Sequence, residues 1–296
     1  MDDREGKAHK ARHMAIDTSF LKSLDRLQLI LKRKVHADLQ GQHQASAFGQ
    51  GLVFQDYKAY VPGDDFRHID WNIFARTDKF FIRRFEEERN LVVHILVDSS
   101  GSMDYGKQTT KFEYAAMIGL GFSYMALRRN ERFTFATFTD TVERLPPRKG
   151  ANQLINILEF ARRHKVKGQS SFKGAMDSYS DSIRGRSLIV LISDFLYDLE
   201  EVRDVLHRYR KSEVFVIQVL DPVERELALA GDVVLEDAET SQKMRTFVSR
   251  RLKSVYQDKL TEHIYKLKDL CEENDAAFVS VTSDTPIFET FYHVLR

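Results

Sequence analysis

The sequence predicts an α/β fold: a doubly wound, mostly parallel sheet with helices on both faces. Two apolar runs, residues 91–97 and 187–193, are nearly continuous, which is typical of strands that are covered on both faces. Helical and extended patterns alternate from residue 91 onward, and this alternation favours a parallel sheet. With 43% hydrophobic residues in a chain of 296, there is enough apolar material for a large buried core.

The strands and helices of this sheet are predicted from the periodicity of apolar residues. The predicted strands cover residues 91–97, 132–138, 187–193, 214–220 and 277–281. The predicted helices cover residues 112–129, 152–164, 173–184, 199–211, 246–274 and 286–295. A hairpin over 233–245, turning at 240–242, and the long helix after it interrupt the alternation. We therefore expect a main domain over 91–296 with an insertion at about 221–275.

The first 90 residues have a different pattern. Residues 1–16 are mostly polar and charged, and we expect a disordered tail there. A helix is predicted over residues 17–35, because Asp17 offers an N-cap oxygen and apolar residues recur at helical spacing after it. Residues 52–89 contain extended segments broken by a turn at Pro62-Gly63, where glycine accepts a positive φ. Residues 17–90 are thus predicted to form an N-terminal helix and β region.

Composition and charge argue against several classes of protein. Lys and Arg number 45 and Asp and Glu 44, so the formal net charge is +1, whereas a general nucleic-acid binder has a large basic excess. The longest mostly apolar stretch, residues 115–127, is too short to span a bilayer, and the N-terminus has no apolar segment of signal-peptide type. The single cysteine, Cys271, favours a reducing compartment. We expect a cytoplasmic protein that binds neither nucleic acid nor membrane.

Carboxylates and hydroxyls follow the two apolar runs. Asp98, Ser100 and Ser102 come directly after the first run, and Asp194 follows the second. Ligands of open parallel sheets bind beyond the carboxyl ends of the strands, so these side chains are expected to share one rim. A hydroxyl-bearing loop, Gly168-Gln169-Ser170-Ser171, precedes a predicted helix and adds to that rim. Oxygen ligands of this kind suit Mg²⁺ or Mn²⁺.

The pattern Asp98-x-Ser100-x-Ser102, with a later hydroxyl and an aspartate after a second strand, resembles the metal-ion-dependent adhesion site of von Willebrand factor A domains. The resemblance implies that the two serines are direct metal ligands. It also implies that Asp98 and Asp194 supply negative charge, either directly or through water. The fold implied by the resemblance is the same doubly wound sheet that the apolar periodicity predicts.

Two positions depart from the usual pattern of that family. Ser171 stands where A domains have threonine, because Ser171-Phe172-Lys173-Gly174-Ala175 matches the family's spacing to a glycine and an alanine. This exchange keeps the ligand oxygen, and Ser170 remains the alternative third hydroxyl. Phe195 follows the second aspartate where many A domains have glycine, which leaves the shape of that loop open.

Further motifs extend the resemblance over residues 36–296. They are Tyr60-x-Pro62-Gly63-Asp64-Asp65, Ile69-Asp70-Trp71, Ala75-Arg76, Phe85-Glu86-Glu87-Glu88-Arg89, Asp221-Pro222-x-Glu224 and Asp237-x-Glu239-Thr240. On these motifs the chain resembles the family named domain of unknown function 58, a bacterial group with an A-type domain. Members are often encoded beside MoxR-type AAA+ ATPases. The resemblance therefore implies a non-enzymatic partner or adaptor of such an ATPase, with an acidic residue of the partner bound at the metal.

The same loop supports a second interpretation, a Mg²⁺-dependent nucleotide or phosphate hydrolase. The segment Gly101-Ser102-Met103-Asp104-Tyr105-Gly106-Lys107 fits the first part of a phosphate-binding loop, with Asp194 as a Walker-B aspartate. The pattern fails at Gln108, where a Ser or Thr hydroxyl would bind Mg²⁺. A third interpretation keeps the A-type fold as a metal-free scaffold. We expect a non-enzymatic module, and both alternatives stay open.

Overall fold

The computed structural model of the chain describes residues 52–61, 65, 66, 69–87, 91–106, 108–166, 168, 171–185, 187–227, 229, 231–236 and 243–294. The predicted tail at 1–16, the predicted helix at 17–35 and the turn at Pro62-Gly63 lie outside these residues. Among the described residues, the contacts of the chain separate a first unit that ends at Glu87 from a second unit that starts at Leu91.

The first unit is built on a two-stranded antiparallel sheet. Its strands, β1 (Leu52–Ala59) and β2 (Phe81–Glu87), agree with the extended pattern of this region. Helix α1 (Trp71–Thr77) lies between them and is not predicted by that pattern. It begins after Asp70, whose carboxylate accepts hydrogen bonds from the backbone N–H groups of Asn72, at 3.0 Å, and of the next residue, at 3.3 Å. The N-cap thus explains a helix too short to leave a periodic signal.

The second unit contains the other strands and helices of the described residues. The strands are β3 (Val92–Asp98), β4 (Arg132–Phe138), β5 (Val142–Arg144), β6 (Ser187–Ser193), β7 (Glu213–Leu220), β8 (Gly231–Glu236), β9 (Lys243–Val248) and β10 (Ala277–Thr282). The helices are α2 (Lys111–Arg128), α3 (Ala151–Arg163), α4 (Phe172–Ser180), α5 (Leu199–Tyr209), α6 (Pro222–Glu226), α7 (Arg250–Glu273) and α8 (Ile287–Val294). A 3₁₀ turn, Gly101–Asp104, follows β3.

The central sheet has six strands in the order β10-β7-β6-β3-β4-β5. Neighbouring strands are parallel except for β4 and β5, which are antiparallel. From β3 the chain builds outward through β4 and β5, and then, on the other side of β3, through β6, β7 and β10. The strand order therefore reverses between β3 and β6. In such sheets, ligands bind in the crevice beyond the carboxyl ends of the strands at that reversal.

Helices cover both faces of the sheet, and each face has its own apolar core. Side chains alternate along β3, so Ile95 and Val97 belong to the core with α2, whereas Leu96 belongs to the opposite core with α4 and α5. The predicted fold class, an α/β protein with a doubly wound, mostly parallel sheet and helices on both faces, is confirmed.

Two helix boundaries in the prediction are wrong. The helix predicted over 173–184 ends at Ser180. The long helix predicted from residue 246 begins at Arg250, because β9 pairs with β8 up to Val248. Ser249 then caps the helix, its hydroxyl accepting a hydrogen bond from the Leu252 N–H at 3.2 Å. The strands β8 and β9 agree with the predicted hairpin, whose turn at 240–242 lies outside the described residues.

The apolar stretch 115–127 lies within α2, which is buried over most of its length. Among the described residues, no helix is both long and apolar enough to span a membrane.

Candidate metal centre

Two aspartates meet where the strand order reverses. Asp98 is the last residue of β3, and Asp194 directly follows β6. The two strands are paired with Val97 opposite Ile192, so the two carboxylates leave neighbouring strands at the same edge of the sheet. Both residues are buried, Asp98 at 0% and Asp194 at 3% exposure. Buried carboxylates need hydrogen-bond or charged partners, and both have them.

The Asp98 carboxylate is held by three donors. Its Oδ1 accepts from the Ser100 N–H at 2.8 Å, and its Oδ2 accepts from the Ser193 hydroxyl at 2.7 Å and from the Tyr197 hydroxyl. Burial, and next the neighbouring Asp194 carboxylate, raise the pKa of Asp98, while these hydrogen bonds oppose the rise. The three donors hold the Asp98 carboxyl group in a fixed position beneath the rim.

The Ser100 and Ser102 side chains connect the end of β3 to the other carboxylate. Their Oγ atoms lie 3.1 Å apart, and the Ser102 hydroxyl donates to Asp194 Oδ2 at 2.8 Å. The 3₁₀ turn places them, since the Met103 N–H donates to the Ser100 carbonyl at 3.0 Å and the Met103 side chain is buried. Four of the five predicted site residues, Asp98, Ser100, Ser102 and Asp194, thus lie in one hydrogen-bonded cluster.

The fifth predicted residue, Ser171, reaches the same edge of the sheet through its backbone. Its N–H donates to the carbonyl of Thr139, just beyond β4, at 3.1 Å. It is exposed and makes no side-chain cap for α4. A Cβ on Gly174 would come 2.8 Å from the Ser171 Oγ, so the glycine leaves room for this hydroxyl. The alternative ligand, Ser170, lies outside the described residues.

Phe195 lies in the loop after β6, at the position where many A domains have glycine. This residue has φ 48°, in the left-handed region that glycine enters without steric cost. Its ring is fully buried and packs edge-on against Phe172 at 5.8 Å and against Tyr197 at 6.3 Å. The Phe195 carbonyl accepts a hydrogen bond from His263 Nε2 at 2.7 Å. The packed ring and this contact hold a backbone conformation that phenylalanine alone would not favour.

Lys111 also belongs to this cluster, although the sequence motifs did not indicate it. It is the first residue of α2 and is 0% exposed. Its Nζ donates to Asp194 Oδ2 at 2.9 Å and to Glu224 Oε1 at 2.8 Å. Burial lowers the pKa of Lys111, but the charges of Asp194 and Glu224 outweigh burial and raise the pKa overall. The rim therefore contains a permanent ammonium group beside one of its predicted metal ligands.

A weak signal for this lysine does exist in the sequence. The helix dipole destabilises a cation in the first turn of a helix. A lysine directly before the apolar face of a buried helix therefore needs a carboxylate nearby. The Asp221-Pro222-x-Glu224 motif supplies one of the two carboxylates. Tyr197, which contacts Asp98, has no comparable signal.

The oxygen atoms of the cluster fit a small hard cation. Oxygen ligands at the Mg²⁺ distance of about 2.0–2.1 Å in octahedral geometry lie roughly 2.9 Å apart when adjacent. The Ser100–Ser102 separation of 3.1 Å and the Ser102–Asp194 separation of 2.8 Å lie near this spacing, which is also close to that of ordinary O–H···O hydrogen bonds. In the described part of the chain, no group of three or more His, Cys, Asp or Glu side chains suits a metal. A metal site there depends on serine hydroxyls.

The fold and the cluster define a von Willebrand factor A-like module, with hydroxyls and carboxylates at the reversal of its sheet. The chain belongs to the family described as "Protein of unknown function DUF58", whose family model matches residues 56–265. The predicted family is therefore confirmed.

Among relatives, the chain is 29% identical over 229 residues to "Uncharacterized protein Rv1480" of Mycobacterium tuberculosis (strain ATCC 25618 / H37Rv), covering 76% of this chain and 72% of that protein. Among solved structures, it is similar to the hypothetical protein BatB from Bacteroides thetaiotaomicron, with a TM-score of 0.42 and 14% identity over 68% of this chain and 95% of that one. It is also similar to the SpRpn10 VWA domain, with a TM-score of 0.43 and 13% identity over 68% of this chain and 93% of that one.

Proposed function

We propose that this chain is a non-enzymatic protein-interaction module that holds Mg²⁺ or Mn²⁺ at the rim formed by Asp98, Ser100, Ser102, Ser171 and Asp194. The ion accepts a Glu or Asp side chain from a protein partner. On the family resemblance, that partner is a MoxR-type AAA+ ATPase or a client of such an ATPase. The observation that carries the proposal is the chain of contacts from Ser100 through Ser102 to Asp194 at the reversal of the sheet.

The five residues have different roles in this proposal. Ser100, Ser102 and Asp194 supply three oxygens with the spacing of adjacent ligands. Ser171 adds a fourth oxygen from the exposed side of the rim. Asp98, whose oxygens already accept three hydrogen bonds, supplies negative charge through water. A bound dication is the largest local charge in such a site and attracts a carboxylate.

The loop contacts favour this function over nucleotide hydrolysis. A phosphate-binding loop presents free backbone N–H groups to the phosphates. Here the Gly101 N–H donates to the Gly168 carbonyl at 3.0 Å, and the Met103 N–H donates to the Ser100 carbonyl at 3.0 Å. Both N–H groups already donate hydrogen bonds within the protein and are not free to bind a phosphate. Lys107, the lysine of the hydrolase interpretation, lies outside the described residues.

Calorimetric titration with Mn²⁺ tests the metal site. We expect the wild type to bind, and Ser102→Ala to bind more weakly by at least the roughly 10–100-fold that the loss of an outer-shell partner costs. Ser99→Ala is the matched control, because its hydroxyl lies on the same loop but donates to the Phe138 carbonyl at 3.2 Å. Equal Mn²⁺ affinity in all three proteins would argue against the site.

Affinity capture from the cells that produce the protein tests the partner. The wild type with Mg²⁺ should retain an AAA+ ATPase, whereas Ser102→Ala, or the wild type with a chelator, should lose it. Retention in all three conditions would instead support the metal-free scaffold. Failure to retain an ATPase in any condition would remove the MoxR assignment and leave the metal site to the titration.

A further inference from the structure

Lys111 occupies a position that is unfavourable for a cation unless something holds it there. Its ammonium is completely buried, and it lies at the positive end of the α2 dipole. Two carboxylates compensate, with Nζ 2.9 Å from Asp194 Oδ2 and 2.8 Å from Glu224 Oε1. A surface lysine that folds back by chance would not be fully enclosed between two such groups. The fold therefore holds the Lys111 ammonium between the Asp194 and Glu224 carboxylates.

Glu224 is itself fixed by the helix that carries it. Its Oε2 accepts from the Asp221 N–H at 3.0 Å, and the Asp221 carboxylate in turn accepts from the Val223 N–H at 2.8 Å, which forms a capping box at the start of α6. One oxygen of Glu224 therefore caps α6 while the other binds Lys111. This gives the Asp221-Pro222-x-Glu224 motif a structural role: it positions the lysine over the rim.

Lys111 contacts the same oxygen that the metal would use. Asp194 Oδ2 accepts from the Ser102 hydroxyl at 2.8 Å and from Lys111 Nζ at 2.9 Å. In their ionised forms Asp98, Asp194 and Glu224 give the rim a formal charge of −3, and Lys111 changes it to −2. A dication then makes the rim neutral. Without Lys111, the loaded rim would keep a charge of −1 and would repel an acidic group.

We infer that Lys111 sets the charge of this rim: it weakens the binding of a divalent ion to the free protein and keeps the loaded rim from being negative, so that an acidic group completes the site without being repelled. This inference rests on the proposed metal site and names the regulation of that site. Metal and acidic partner then bind with positive coupling, because each supplies charge that the other lacks.

Titration with Mn²⁺ alone tests the first half of the inference. Lys111→Met, which removes the competing charge and keeps an unbranched apolar chain, should bind Mn²⁺ about tenfold more tightly or better than the wild type. Lys266→Met is the matched control, because Lys266 pairs with Glu262 at 2.7 Å on the exposed surface of α7. This control removes the same charge elsewhere and should bind Mn²⁺ as the wild type does.

A second variant keeps the test decisive if Lys111→Met does not fold. Glu224→Gln leaves the ammonium with only Asp194 as its charged partner, so Mn²⁺ should bind more weakly than in the wild type. If the wild type binds Mn²⁺ and neither variant differs from it in the stated direction, the inference is wrong while the proposed function stands. If neither the wild type nor Lys111→Met binds Mn²⁺, both are wrong.

Acetate serves as the acidic probe for the second half. In the wild type, excess acetate should tighten Mn²⁺ binding relative to chloride at the same ionic strength. The gain should be smaller in Lys111→Met, whose loaded rim has one positive charge less. An equal gain in both proteins would overturn the role of Lys111 in attracting the acidic group.

Discussion

Phe195 adopts a left-handed backbone with φ 48°, and its buried ring packs edge-on against Phe172 at a centroid distance of 5.8 Å. For a residue with a Cβ, this backbone conformation costs about 1–2 kcal/mol. Burial of the ring offsets that cost, so the loop that presents Asp194 is held by packing instead of by a glycine. This relationship predicts that a glycine variant at position 195 is more stable than an alanine variant.

Phe195→Ala should lower the free energy of unfolding by about 3–5 kcal/mol, because the ring is lost and the strained backbone remains. Phe195→Gly loses the same ring but relieves the backbone, so it should be less destabilised than the alanine variant by about 1 kcal/mol. Urea unfolding of both variants measures the difference.

Phe291 provides the control for this comparison. It is fully buried within α8, where the backbone is helical. There the glycine variant should be less stable than the alanine variant by about 1 kcal/mol, the reverse of the order at Phe195. The same order at both positions would show that the backbone at Phe195 is not strained.

Tyr197→Phe removes the hydroxyl that donates to Asp98 Oδ2 and keeps the ring, which stacks on Phe172 at 4.9 Å. A hydrogen bond to a charged group contributes about 1.5–3 kcal/mol, so the free energy of unfolding at neutral pH should fall by that amount. Tyr265→Phe is the control, because Tyr265 is 63% exposed on α7. Its effect should stay within about 0.5 kcal/mol. Equal effects of the two changes in urea unfolding would indicate that the Asp98 contact is not stabilising.

The strands of the central sheet could be predicted because they are buried on both faces. Residues 132–138 and 187–193 coincide with β4 and β6, and the other three predicted sheet strands lie within one residue of β3, β7 and β10. A continuous apolar run is a local property of the chain, and local properties can be read from sequence. Asp98 and Asp194 could be placed at one edge for the same reason, because they directly follow two such runs.

Lys111 could not be found in this way, because its role depends on long-range contacts. Its carboxylate partners, Asp194 and Glu224, lie 83 and 113 positions away along the chain. In sequence, only its place before the apolar face of a buried helix distinguishes Lys111 from a solvated lysine, and that place does not identify its partners. Only the return of β6 and β7 to the same edge of the sheet encloses it.

His94 predicts a pH dependence of stability. Its Nδ1 lies 2.9 Å from the Tyr179 hydroxyl, and its Nε2 is buried without a hydrogen-bond partner among the described residues. Burial, together with the charge of Arg144, lowers the pKa of His94 to about 4. The unfolded chain binds a proton here at higher pH than the folded protein does. The free energy of unfolding should therefore be highest above about pH 6.5 and fall as the pH decreases toward 4.

The contribution of His94 over this range amounts to roughly 3 kcal/mol. Urea unfolding at several pH values should show it as a slope in the wild type that is shallower in His94→Gln, which does not titrate. Arg144 and Tyr179 face the imidazole, and burial raises the pKa of Tyr179. An unchanged slope in His94→Gln would assign the pH dependence to other groups.

The proposed metal site also predicts that Mg²⁺ raises the melting temperature of the protein. The size of this rise should depend on whether Ser99 or Ser100 is changed. Mg²⁺ at about 100 times its Kd should stabilise the folded protein by about 2.7 kcal/mol, which is roughly 5–11 °C in Tm for a unit of this size. Ser100→Ala removes the hydroxyl next to Ser102 and should lose most of the shift. Ser99→Ala removes the adjacent hydroxyl, which donates to the Phe138 carbonyl, and should keep it. Because both variants lose one buried hydroxyl, an equal Mg²⁺ shift in the two would mean that the ion stabilises the protein away from this rim.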